Sequence, residues 1–388
     1  MKKSILVMSL VALSVGTAHA QSSVTIYGII DEGFDFTSNT TKSSPAGGRQ
    51  WQLDSNFGLN GSRWGFNGSE NLGSGLKAVF RLENGFNLNT GALAQGGAEF
   101  GRQAYVGLSS DKFGTVLLGR QYDSIVDYLG AIEARDQWGG SHAAHPGDLD
   151  NFNNNRRTNN AVKYTSPNFG GVTFSGMYSL GGVPGDFTGN QVYSVGTGYS
   201  YGPVSVAAAY LNAKTPRVSF FGNNPNETPT SNGLTSNPIY SGYNTAGSYS
   251  VIGVGASYTI GSATLTSTYS NVAFSNISAL ANASAIFNTA DISLRYRVNP
   301  ALLVGVAYSY THGSHVNATV GGATYNQVDL GATYSLSKRT DLYAVAAYQH
   351  ASGHDSTGHE SVASIAVTTA ASSNENQFVG RVGIRHRF

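Results

Sequence analysis

Phe378-Val379-Gly380-Arg381-Val382-Gly383-Ile384-Arg385-His386-Arg387-Phe388 is the stretch that decides the fold. Phe378, Gly380, Val382, Ile384, His386 and Phe388 share one parity, while Arg381, Arg385 and Arg387 share the other. A strand with an apolar face and a face bearing three guanidiniums cannot line an ordinary core. It suits the wall of a water-filled barrel in a membrane, where apolar side chains point out and polar ones point in. Phe388 then lies at a membrane interface, where amphipathic rings are favoured, and is the candidate terminal aromatic for assembly.

The same period of two recurs upstream. Val328, Leu330, Ala332, Tyr334 and Leu336 alternate with Gln327, Asp329, Gly331, Thr333 and Ser335. Ile292, Leu294, Tyr296 and Val298 alternate with Asp291, Ser293, Arg295 and Arg297; Leu76, Ala78, Phe80 and Leu82 alternate with Lys77, Val79, Arg81 and Glu83. Each run has about the 9–11 residues a tilted membrane strand requires. A basic side chain facing lipid at mid-membrane costs about 2–4 kcal/mol. Arg63, Arg81, Glu83, Lys163, Asp291, Asp329 and Arg381 all take the parity opposite their strand's bulky apolar residues. Glu32, Arg102 and Arg120 do not fit this alternation and imply a rim or a bulge, which resets parity.

Seven short Gly-, Pro-, Asn- or Asp-rich turns, from Glu70–Gly73 to Ser337–Thr340, alternate with eight longer segments and predict 16 antiparallel strands. The longer segments fall at about 37–60, 89–99, 125–159, 181–190, 213–246, 276–284, 314–323 and 353–373. Tyr164, Tyr199, Tyr258, Tyr296 and Tyr334 mark one rim, and Tyr178, Tyr210, Tyr269, Tyr308 and Tyr348 the other, as two aromatic girdles. A soluble sandwich would not need every second residue hydrophilic on strand after strand.

Bulk composition agrees. Lys2 and Lys3 precede an apolar run from Ile5 to Val15 and an Ala18-His19-Ala20 cleavage pattern, so residues 1–20 read as a secretory signal and 21–388 as a single barrel domain. With 23 basic and 22 acidic residues the chain is no polycation for nucleic acid. The absence of cysteine excludes a disulfide scaffold, a thiolate metal site and a cysteine nucleophile.

An open bore needs a constriction to be selective, and the long segment 124–160 is the candidate. It carries Glu133, Asp136, Asp148 and Asp150, with arginines on the strands around it. Acids and bases opposed across a narrow gap create a transverse field that sorts solutes by charge and dipole. His142 and His145 lie in the same segment and are candidates for titration near neutrality. Gly198-Tyr-Ser200-Tyr-Gly202 matches a hydrolase elbow, but a Gly-Pro turn and another strand follow where a helix is required. His350, His354 and His359 with Asp355 and Glu360 show no metal-ligand spacing and read as solvated loop residues. No catalytic set, metal site or cofactor is assigned.

Val24-Thr-Ile-Tyr-Gly28, Ser62-Arg-Trp-Gly-Phe-Asn-Gly68, Gly101-Arg-Gln-Ala-Tyr-Val-Gly-Leu108, Gly119-Arg-Gln-Tyr122, Tyr164-Thr-Ser-Pro-Asn-Phe169 and the terminal Val-Gly-Ile-Arg-His-Arg-Phe occur in an order that resembles the general bacterial outer-membrane porins of neisserial and betaproteobacterial type. The resemblance implies a 16-stranded, homotrimeric transmembrane β-barrel in outer-membrane lipid and lipopolysaccharide, passing small hydrophilic solutes and ions without enzymatic activity. It implies an inward-folded third loop with two acids. Glu133 matches the first; the second position holds Gln137, with Asp136 adjacent. The wall cluster maps onto Arg63, Arg102, Arg120 and Arg157, to which parity adds Arg81. A further basic position falls on Ile29, so ion preference stays open.

Overall fold

The computed structural model describes residues 23–41, 48–222, 233–365 and 370–388; the signal reading of residues 1–20 lies outside them. The strands are joined each to the next by antiparallel ladders, except that the second and third each pair with the first. They are β1 (Ser23–Thr40), β2 (Gly48–Asp54), β3 (Arg63–Gly73), β4 (Leu76–Gly85), β5 (Gln103–Ser110), β6 (Gly114–Gln121), β7 (Thr158–Thr165), β8 (Val172–Ser179), β9 (Val192–Tyr201), β10 (Val204–Lys214), β11 (Ala246–Ile260), β12 (Ala263–Ile277), β13 (Ala283–Arg297), β14 (Leu302–Gly313), β15 (Thr324–Ser335), β16 (Thr340–Ser352) and β17 (Asn376–Arg387). β2 and β3 both pair with β1, at opposite ends, and are one stave interrupted at residues 55–62. The result is a closed barrel of 16 staves.

Closure joins β1 to β17 from Ile29↔Arg387 to Thr37↔Val379. The Gly28 N–H donates to the Phe388 carbonyl at 3.1 Å, and the Phe388 N–H returns to Gly28 at 3.0 Å. A Cβ on Gly28 would stand 2.3 Å from the Phe388 ring. Glycine here is what lets the terminal aromatic lie flat over the seam. Inside the same seam, Arg381 donates to both Asp35 carboxylate oxygens at 2.9 Å and to the Tyr343 hydroxyl oxygen at 2.7 Å. Its third branch reaches the Asp54 carbonyl at 2.6 Å, so one planar guanidinium ties β17 to β1, β2 and β16.

One local expectation changes. Strand structure extends to Thr40 and resumes at Gly48, inside the segment 37–60 that the sequence suggested was loop. Phe34 and Phe36 pack on Trp51 at ring separations of 5.6 and 4.3 Å, and these cross-strand contacts prolong the hairpin. Arg120 follows a register break between Gly119 and Gln121, the bulge that its parity implied. Glu32 is in register with β17 but lies opposite the interruption between β2 and β3, where the partner changes from Arg63 at Ile29 to Asp54 at Gly33, and it accepts a hydrogen bond from Asn89 at 3.2 Å.

Outer faces carry the apolar alternation, with Leu330, Ile292, Val382 and Ile384 exposed. The girdle tyrosines are pinned in a repeating way. Tyr269, Tyr308 and Tyr348 donate to Asn288, Asn326 and Asn376 on the neighbouring strand, each at 2.7 Å. Phenol rings thus stay in the apolar band while their hydroxyls are satisfied at its edge.

Candidate functional site

Segment 122–157, between β6 and β7, begins with a cap. Asp123 Oδ1 accepts the Ile125 and Val126 N–H groups at 2.8 and 3.2 Å, which starts the helical turn Val126–Gly130. The segment then lies on side chains of the inward parity. Trp138 rests on Gly305 and Gly331, where a Cβ would meet its ring at 2.2 and 2.5 Å, and its Nε1–H donates to Ser293 at 2.9 Å. Leu129 and Phe152 sit against Gly253, and Tyr128 against Gly196 and Gly198. Inward glycines on four strands are therefore the seat of this loop. Gln327 on β15 donates to the His142 carbonyl at 3.0 Å, and Tyr249 on β11 to the Leu149 carbonyl at 2.5 Å.

Two cavities flank the segment. The smaller, about 320 Å³, is bounded by Arg102, Arg120, Arg135, Arg157 and the asparagines 153–155, with no carboxylate among the described residues of its lining. The larger, about 1070 Å³, carries Arg135, Arg295, Arg297, Lys338, Arg385 and Arg387 against two acids, Asp136 and Asp341. Arg135 lines both. Its guanidinium bonds Asn153 and pairs with Asp136. Facing it is the break in the second stave. Asn56, Phe57, Gly61 and Ser62 border the smaller cavity, Leu59 and Asn60 the larger, and the Ser141 N–H donates to the Gly58 carbonyl at 3.1 Å.

The arginines reach this position by separate means. Arg102 is held by Glu83 at 2.7 Å and donates to the Tyr122 hydroxyl at 3.1 Å. The bulge at Gly119 turns Arg120 towards Asn159, 2.5 Å away. Arg157 donates to the Asn155 carbonyl at 3.0 Å, while its Nε has no partner. Burial, reinforced by the Arg102 charge, pulls the Arg157 guanidinium down to about 9. Arg63 bonds the Gly61 carbonyl beside the cavity at 3.1 Å, and Arg81 bonds Asn67 at 2.7 Å; neither lines either cavity.

The loop acids divide. Asp136 and Gln137 line the larger cavity. Glu133, Asp148 and Asp150 are fully buried and border neither. Asp148 accepts the Asn153 and Asn155 N–H groups at 3.0 and 3.1 Å, and Asp150 takes the Ser270 hydroxyl at 2.6 Å. These carboxylates hold the loop's own backbone and its attachment rather than facing the lumen. Both histidines are buried too, and neither keeps an ordinary imidazole value. Burial and then Arg381 push His142 down to about 3. For His145, burial is outweighed by Asp150 and Glu133, which raise it well above its usual value. Arg135, the stave break and the basic wall of the larger cavity escaped the sequence reading. Alternation placed Arg295, Arg297, Arg385 and Arg387 inside without saying which loop they face. Ser200 lies within β9, its hydroxyl donating to Ser205 at 2.9 Å, where strand follows strand.

The profile of the Gram-negative porin family matches residues 7–354. The chain belongs to that family. It is 33% identical to an outer membrane porin protein of Bordetella pertussis, over 90% of this chain and 94% of that one. Identity with the outer membrane porin protein 32 of Delftia acidovorans is 27% over the full length of both. Among solved structures, the anion-selective porin from Comamonas acidovorans superimposes with a TM-score of 0.73 at 24% identity, covering 95% of this chain and all of that one. The Salmonella typhi OmpF structure gives 0.59 at 17% identity, over 94% and 97% of the two chains. This porin is thus an outer-membrane channel for passive diffusion, as its girdles and hydrophilic interior require.

Proposed function

We infer that the porin is an anion-preferring diffusion pore for small hydrophilic solutes, constricted where segment 122–157 faces the break in the second stave. The observation that carries this is the pair of cavities meeting at Arg135: four arginines and no acid on one side, six basic residues against two acids on the other. A permeating cation meets positive potential throughout that path, and an anion meets it only as attraction. Sulfate, phosphate and small carboxylates fit the planar donor forks of such a wall. The anion-selective character of the Comamonas acidovorans porin supports the same reading. The chain works as a channel and not as an enzyme.

A homotrimer is the proposed assembly, in line with the trimeric Vibrio cholerae OmpT structure, with outer-membrane lipid and lipopolysaccharide around it and Phe388 as the assembly aromatic. The test is reversal potential in a planar bilayer under a potassium chloride gradient. Wild type should favour chloride, and Arg135→Glu should move the reversal potential towards potassium. An unchanged potential in that variant would remove Arg135 from the constriction. Three equal conductance steps per inserted particle are expected of the trimer, and single steps would contradict it.

A further inference from the structure

His145 stands at the point where the loop meets the wall, with 1% of its side chain exposed. From the loop, Asp150 Oδ2 lies 2.7 Å from its Nδ1, Glu133 Oε1 lies 3.8 Å from that nitrogen, and its own backbone N–H donates to Glu133 Oε1 at 2.9 Å. From the wall, Asp291 on β13 comes within 3.7 Å of Nε2. Ser270 on β12 donates to the same Asp150 oxygen, and the Phe152 ring stacks obliquely at 5.4 Å. Asp329 on β15, hydrogen-bonded by Gln327, and Asp148, paired with Arg156, belong to the same charged cluster. One imidazole therefore faces carboxylates of both bodies. Glu133 Oε2, His145 Nε2 and Asp291 Oδ2 are buried there without a hydrogen-bond partner. A purely structural knot would leave fewer such groups unsatisfied. Unpaired, this many buried acids repel one another, so the attachment depends on protons held among them.

We propose that His145 is a positioning residue of the channel: its protonated ring pins the constriction loop, through Asp150 and Glu133, to Asp291 of the barrel wall, and the aperture at Arg135 keeps its width only while that pin is made. This rests on the constriction reading above. The direction of the pH effect follows from the groups involved. His145 is raised above its ordinary value in the pinned loop, so its contribution is complete below about pH 6.5 and is lost as pH climbs through the raised value. Glu133 is driven up to about 8 by burial, against the pull of His145, and acts in the same sense. For Asp150 burial is outweighed by His145, which holds its carboxyl below the usual value, so it weakens the pin only towards the acid side. Alkaline pH should therefore release the loop.

Single-channel recording from about pH 5.5 to about pH 8.5 tests this, with the frequency of brief closures as the readout. Wild type should close more often as pH rises, by up to about tenfold for each unit separating pinned and released values. His145→Gln should close often already at the acid end and show a flatter profile. Asp291→Asn removes the wall partner without touching the loop and should also flatten it. Leu149→Ala loosens the same loop without removing a proton site, so it should raise closures but keep the wild-type slope. A wild-type slope in both His145→Gln and Asp291→Asn overturns the proposal, as does an equal flattening by Leu149→Ala. The constriction reading fails separately, if Arg135→Glu leaves conductance and selectivity unchanged.

Discussion

Trp138 illustrates how single residues set the bore. An indole can lie flat against the wall only because Gly305 and Gly331 present no side chain there. Gly305→Leu should lift the ring from its seat and cost about 1–3 kcal/mol in overpacking. The expected outcome is a lower thermal unfolding temperature of the barrel in detergent, together with a changed unitary conductance. Asp123 acts at the other end of the segment. Its carboxylate accepts two amide donors of the first helical turn. Asp123→Ala should cost about 0.5–2 kcal/mol and be detected as faster amide exchange over residues 125–130. Neither position stands out in the sequence, since an aspartate before an apolar stretch and a lone tryptophan in a loop are both common.

Among the elements, the strands obey the alternation and the break in the second stave departs from it. Leu330 and Thr333 lie three residues apart on β15, so they face opposite sides: Leu330 is exposed on the outside, while Thr333 lines the larger cavity. Leu330→Arg should destabilise the barrel by about 2–4 kcal/mol in urea unfolding from lipid vesicles. Thr333→Arg should leave that stability close to wild type, because its charge stays in water. The stave break at residues 55–62 is invisible to a periodicity argument. Serine, asparagine and glycine there look like any surface turn, and only the pairing of β2 and β3 with the same strand reveals that the segment enters the barrel.

For the whole molecule, the charge pattern matters more than the net charge, which is close to zero. Among the described residues, basic groups outnumber acids six to two in the larger cavity and stand without an acid in the smaller one, while Glu133, Asp148 and Asp150 of the loop are buried away from both. Such a field is long-ranged only at low ionic strength, since the screening length falls from about 10 Å at 0.1 M to about 3 Å at 1 M salt. The anion-to-cation permeability ratio should therefore decline as salt rises over that range, measured from reversal potentials at a fixed gradient ratio. A ratio independent of salt would mean that selection comes from aperture size alone.

Alternation of period two, turn chemistry and girdle tyrosines determined the barrel, its strand count and which face of each strand meets lipid, because those properties depend on neighbours in the chain and on the solvent either side. The length and charge of segment 124–160 made it a candidate, whereas Arg102, Arg120 and Arg157 were reached through the resemblance to the porin family, since alternation left Arg102 and Arg120 unplaced. Which loop acids face water, how Arg135 comes to border two cavities, and why His145 is surrounded by carboxylates were decided only by tertiary structure. A loop residue has no periodic partner to give it a side; its direction is set by contacts with strands more than a hundred residues away, such as Gly305, Gln327 and Asp291.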